Sequence, residues 1–163
     1  MSGFTGPYAL SKWRKLKITQ GTTDVAPVEE TPDGARFSYK VFLGDPAGGV
    51  SRRLATFKAR AAASGLVSFS YKFAIFHAWY DVKAYFLVFA ETEEGTQEKA
   101  VVDFVNLSTT GPRTFEGSVS FPVEKGRAFG FKIGGSNFDS NSTLQGTLTV
   151  SQFRAPLDGD PAA

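Results

Sequence analysis

Cysteine is absent from this 163-residue chain, and histidine, methionine and tryptophan are scarce, with one, one and two copies. Missing thiols exclude disulfides, thiolate metal sites and cysteine nucleophiles. With His77 alone, any imidazole-based metal site or Ser-His-Asp triad would rest on one residue, beside Trp79 in a turn. No apolar run is long enough for a membrane-spanning helix, so no membrane insertion is expected. The opening MSGFTGPYALSKWRK lacks the charged-then-apolar order of a signal peptide. Charge of one sign is missing too. Eighteen Lys and Arg against 16 Asp and Glu leave a net +2, scattered along the chain. A nucleic-acid binder would concentrate its basic residues in a patch or stripe, so no nucleic-acid partner is expected. No GxSxG, HExxH, phosphate-loop or dinucleotide fingerprint occurs, and the spacing singles out no pair of acids for glycoside hydrolysis. The chain is therefore expected not to be an enzyme.

What the chain has in quantity is phenylalanine, 16 residues, set in an every-other-residue pattern. From Ser64 to Ala90 this pattern is densest. Val67, Phe69, Tyr71, Phe73 and Ile75 alternate with Ser68, Ser70, Lys72 and Ala74, which is the period of a half-buried strand. After His77-Ala78-Trp79 a second run places Val82, Ala84, Phe86 and Val88 on one face. Tyr85, Leu87 and Phe89 fall on the other, so this strand should be covered on both sides. Together the two segments are expected to form the middle of a β-sandwich. Similar alternation predicts strands over 14–19, 37–43, 53–60, 99–106, 115–123, 129–133 and 144–150. Between them lie turn signals such as Asp33-Gly34, Gly95 and Glu124-Lys125-Gly126. The stretch 21–34 reads as a polar loop, and 91–98 as a solvated acidic hairpin tip. Eight or nine short strands with no helix longer than a turn predict an all-β, antiparallel β-sandwich of jelly-roll or CUB-like type. Residues 1–156 form one domain in this reading, and 157–163 a disordered tail rich in Asp, Pro and Ala.

The opening FTGPYALSKW, with Phe4, Gly6, Tyr8 and Trp13, resembles the start of β-sandwich domains in bacterial secreted and surface-anchored proteins of the PEP-CTERM type. The phrases from Ala63 to Tyr71, from Gly117 to Ile133 and from Leu148 to Phe153 continue that resemblance, which spans about residues 4 to 156. It implies a CUB-like or jelly-roll module of the bacterial cell surface or extracellular matrix, without catalysis. The chain departs from that pattern in keeping only Asp81 where those domains have an acidic loop. It also shows neither a leader nor a sorting anchor.

Two constellations are candidate sites. In the loop 134–141, Asn137, Asp139 and Asn141 alternate, so their oxygens would converge on a hard cation such as calcium. The resemblance to calcium-binding CUB domains implies that Asp81 would complete such a set. An Asn/Asp turn held by its own side-chain-to-backbone bonds explains the same residues without a metal. The second constellation is aromatic. Tyr8, Trp13, Trp79 and Tyr80 sit in or beside loops, where rings stack on pyranose faces while nearby polar groups fix the hydroxyls. For Trp13 a place in the core is the competing reading. Phe42, Phe57 and Phe76 lie on otherwise polar faces and, if exposed, would make an apolar patch for self-association or a protein partner; if both faces of those strands are covered, they are core. The expected function is a cell-surface or matrix module that self-associates, binds another protein or recognises carbohydrate. The alternative is a structural building block of a shell, filament or phage-like particle.

Overall fold

The computed structural model describes residues 3–18, 23–25, 29–42, 53–77, 82–106, 111–137 and 143–158. Two 3-10 turns, Gly6–Tyr8 and Leu10–Lys12, open the chain. The strands follow as β1 (Arg14–Ile18), β2 (Thr23–Val25), β3 (Glu29–Thr31), β4 (Gly34–Phe42), β5 (Arg53–Arg60) and β6 (Gly65–His77). They continue as β7 (Val82–Thr92), β8 (Gly95–Asn106), β9 (Gly111–Val123), β10 (Ala128–Asn137) and β11 (Thr143–Arg154). They form two antiparallel sheets, ordered β1-β5-β10-β7-β8 and β2-β4-β11-β6-β9, with β3 paired to β4 beside β2. The chain is a β-sandwich of jelly-roll type. It changes sheet at every connection except β2–β3, β3–β4 and β7–β8.

The dense segment around residue 77 is thereby split between layers. β6 lies between β11 and β9, while β7 lies between β10 and β8 in the opposite sheet. The two strands meet through the core rather than edge to edge. Phe86 of β7 lies 5.2 Å from the Tyr71 ring and 5.7 Å from the Phe73 ring of β6. The inward residues of β6, Val67, Phe69, Phe73 and Ile75, are buried as their alternation requires. On β7 both faces are buried, Phe86 and Val88 inward and Leu87 and Phe89 outward.

Residues 21–34, read from sequence as one polar loop, contain β2 and β3. Both are three residues long and too polar to signal a strand, and their pairing with β4 is what defines them. The hairpin there turns on Pro32-Asp33, since Thr31 already pairs with Gly34. The acidic tip is a tight turn between β7 and β8. The Thr92 hydroxyl donates to the Gly95 carbonyl and accepts from the Glu94 amide. β11 departs from simple alternation. Its register shifts between Ser151 and Arg154, and Gln152 has φ +53°, the one positive φ outside glycine among the described residues. This bulge turns Phe153 into the core, where it stacks on Phe4 with ring centroids 4.4 Å apart.

The N-terminus and the end of β11 are tied together through Tyr8. Its hydroxyl donates to the Pro156 carbonyl and accepts from the Ala62 amide at 2.9 Å. Ala155 is buried next to it, and Lys125 bonds Asp158 at 3.0 Å, so the segment after β11 packs on the sandwich as far as Asp158. At the centre, Phe131 of β10 is fully buried among Trp13, Phe37, Phe69 and Phe86.

Candidate functional site

The two sheets present different outer faces. On the five-stranded sheet, Leu87 and Phe89 point away from the core and are still buried. Lys132 lies across the Phe89 ring, 5.1 Å from its centroid, and its ammonium bonds Glu98. The aliphatic stem of Lys132 thus roofs the aromatic while its charge remains paired. Around these residues the face is closed.

The outer face of the six-stranded sheet is open and polar. Pairing registers place Glu29, Arg36, Thr149, Lys72 and Glu116 in one row across five strands. Strands spaced about 4.8 Å apart make this row roughly 19 Å wide. The row carries in order a carboxylate, a guanidinium, a hydroxyl, an ammonium and a carboxylate, with the two cations flanking the hydroxyl and the two anions outermost. Arg36 bonds Glu29 at 3.0 Å and Lys72 approaches Glu116 at 3.8 Å. All four side chains are largely in water, so the pairs add little stability and remain available to a ligand. The next row contains Ser151, Ser70 and Ser118. There the bulge points Gln152 outward, and its side-chain oxygen accepts from the Ser70 hydroxyl at 2.9 Å. A left-handed glutamine costs about 1–3 kcal/mol, which the burial of Phe153 offsets.

The β3–β4 hairpin forms a wall at one end of this face. Two contiguous depressions lie against it, of about 650 and 1230 Å³, sharing Thr31, Pro32, Asp33, Ser70 and Ser151. Beneath this face, Gly117 lies on the inward side of β9 opposite Tyr71 and makes room for its ring; a Cβ there would lie 2.9 Å from the Tyr71 hydroxyl. Along β6 the same face carries two exposed apolar side chains, Leu66 near one end and Phe76 near the other, 55% and 49% exposed. Ten residues separate them, about 33 Å of strand.

Sequence-derived candidates fare unevenly. Tyr8 and Trp13 are 1% and 6% exposed, which corrects their reading as a sugar platform. Both are core residues. Trp13 stacks on Phe131 at 5.2 Å, and its indole N–H donates to the Tyr8 carbonyl at 3.2 Å. An amphipathic ring whose polar atom finds a partner inside is free to be buried. The three phenylalanines that would make an apolar patch if exposed divide. Phe57 is fully buried on the inner side of β5, edge-on to Phe37 at 5.0 Å. Phe42 ends β4 with its side chain outside the description, leaving Phe76 as the exposed member. Trp79, Tyr80, Asp81, Asp139 and Asn141 lie outside the described residues. Asn137 ends β10 and pairs with Val82, the residue that follows Asp81 in sequence. Among the described residues, no three His, Cys, Asp or Glu side chains come together as metal ligands.

Sequence reasoning missed Arg36, Lys72, Glu116, Thr149 and Gln152. Each is an ordinary polar residue on the solvent side of a strand. The only local signal was the spacing Leu148, Val150, Phe153, where a step of three replaces a step of two and marks the bulge.

No protein-family model and no curated protein matches the chain. Several solved structures align along most of the chain. The N-terminal cellulose-binding domain of Cellulomonas fimi β-1,4-glucanase C is 12% identical, with a TM-score of 0.45 over 97% of this chain and 99% of that one. The linked carbohydrate-binding and catalytic modules of a Clostridium thermocellum endo-1,4-β-xylanase, complexed with xylohexaose, are 8% identical at a TM-score of 0.42. There the match covers 87% of this chain and 26% of the other. A chain of infectious bursal disease virus, Gx strain, is 15% identical at 0.44, over 90% of this chain and 33% of that one.

Proposed function

We propose that the chain is a non-catalytic glycan-binding module whose recognition surface is the outer face of the six-stranded sheet. The observation that supports this reading is the exposed row Glu29–Arg36–Thr149–Lys72–Glu116 beside an open groove. Every sugar hydroxyl both donates and accepts. A row that combines obligate donors, obligate acceptors and a hydroxyl offers both kinds of partner. Phe76 offers a ring to the C–H face of a pyranose, and Leu66 a second apolar contact farther along β6. The row carries two cations and two anions and so has no net charge, which favours a neutral oligosaccharide over nucleic acid. A stable protein interface would want an apolar centre, and here the centre is hydroxyls and charges.

The module belongs, in this reading, to the cell surface or matrix, the setting of the domains its motifs resemble. Trp79 and Tyr80 are proposed as supplementary stacking rings. Asp81, Asn137, Asp139 and Asn141 are proposed as a calcium set. The pairing of Asn137 with Val82 favours this, because it brings the backbones of the two contributing segments together.

Lys72→Ala and Phe76→Ala should each weaken glycan binding at least tenfold, measured by calorimetry with the best ligand from a glycan array. Both side chains are exposed, so stability should move by no more than about 0.5 kcal/mol. Variants that bind as tightly as the parent would remove the face from consideration. A parent that binds no glycan, with calcium or without it, would remove the function.

A further inference from the structure

β9 is the last strand of the six-stranded sheet, and among the described residues it pairs with β6 alone. That pairing runs without a register shift from Gly111 to Val123. Alternate residues of such a strand turn both backbone groups toward the partner, and the others turn both away. Proline lies at 112 and at 122. A proline nitrogen is tolerated in a strand where it faces away from the ladder. The even-numbered residues therefore hold the outward groups, and the outward N–H donors are those of Thr114, Glu116, Ser118 and Ser120. The side chains of these four residues are exposed.

The two prolines are symmetric about Gly117, five residues to either side. Prolines near an edge usually blunt it against strand addition. Here they blunt only its ends and leave four donors between them. We propose that β9 is a self-pairing edge, joining a second copy of this chain antiparallel about a two-fold axis at Gly117. In that register Glu116 faces Ser118 of the other copy, Thr114 faces Ser120, and Pro112 faces Pro122. Each donor meets a carbonyl, and the positions lacking donors face each other. A shift by one pair toward residue 116 would set the Glu116 carboxylates directly opposite, which is destabilising. On the inner side, half-buried Phe115 comes opposite Val119 of the second copy, an aromatic and β-branched pair. Gly117 meets its own copy where strands come closest, with Cα atoms about 4.5 Å apart.

The outcome is one continuous twelve-strand layer, presenting two copies of the outer face side by side. Edge pairing alone buries less than a standard interface, so the dimer should form and dissociate with concentration. This self-pairing stands independently of the glycan reading, and its test uses no glycan. The chain has no cysteine, so the double variant Thr114→Cys/Ser120→Cys introduces the only thiols. Facing residues at hydrogen-bonded positions sit about 5.5 Å apart, within the ~4.4–6.8 Å reach of a disulfide. Mild oxidation should give a covalent dimer from the double variant. Thr114→Cys alone should stay monomeric, because its two copies would lie about 20 Å apart. Ser118→Pro should abolish dimerisation in sedimentation analysis while retaining the parent melting temperature. A double variant that folds normally and fails to cross-link would overturn the proposal. Equal cross-linking by Thr114→Cys alone would overturn the register. An unfolded Ser118→Pro would show that its N–H faces β6, which overturns the edge assignment.

Discussion

Phe131→Ala is expected to lower folding stability by about 3–5 kcal/mol, the upper range for removing a buried aromatic. Phe131 is fully buried in β10 and links both sheets to the N-terminal segment. Its ring stacks on Trp13 at 5.2 Å and meets Phe69 edge-on at 5.0 Å and Phe37 at 5.3 Å. Phe86 is within 6.5 Å. The neighbours belong to four different segments, each held by its own ladder or turn, so they have little freedom to collapse into the vacated space. Domains of this size are stable by only about 5–15 kcal/mol, so a large share of the total would be lost. Urea unfolding reads the effect directly as a fall in midpoint at unchanged slope. A loss below about 1 kcal/mol would mean that the ring cluster is not the centre of the core.

Gly130→Ala is expected to be comparably damaging for a different reason. A Cβ on Gly130 would lie 1.9 Å from the Phe57 carbonyl oxygen and 2.9 Å from the Lys58 Cα. Both atoms are backbone of β5, to which Gly130 pairs through Lys58. No side-chain rotation relieves the contact. The alternative is to part β5 from β10, and β1 hangs on the far side of β5. The cost should reach about 3 kcal/mol or more, beyond ordinary overpacking. At roughly 2–4 °C per kcal/mol for a domain of this size, the melting temperature should fall by about 10 °C. A melting temperature within about 2 °C of the parent would contradict the close approach of β5 and β10 at this point.

These two positions illustrate what was legible beforehand. Phe131 sits in a plain alternation with Phe129 and Ile133, and that pattern alone puts it inside a strand sandwich. Gly130 reads from sequence only as a small residue on the outward side; its necessity comes from a partner strand about 70 residues away. The same division runs through the molecule. Strands whose greasy residues alternate were readable, whereas β2 and β3 were not, because their pairing with β4 rather than their composition makes them strands. Tyr8 and Trp13 were ambiguous for a physical reason. An aromatic with a polar handle serves equally on a surface or inside, and the hydrogen bonds to Pro156, Ala62 and the Tyr8 carbonyl decide the matter.

The proposed recognition face was the least legible part. Arg36 and Thr149 are neighbours across β4 and β11, and Lys72 and Glu116 across β6 and β9. None of these residue types is unusual on a strand's solvent side, and no local spacing links them. Only the register of a jelly roll, which joins distant segments, lines them up. The scarcity of exposed aromatics had a similar effect. Loop tryptophan and tyrosine were the obvious candidates, while among the described residues the large ring exposed on the sheet face is Phe76.

The most direct test of the account is a backbone and side-chain NMR titration of the whole chain with the best-binding neutral oligosaccharide. Shifts concentrated at Arg36, Ser70, Lys72, Phe76, Glu116 and Thr149, with the Leu87–Phe89 face silent, are the expected result. Shifts confined to the five-stranded sheet, or none on β4, β6, β9 and β11 at saturating sugar, would contradict it.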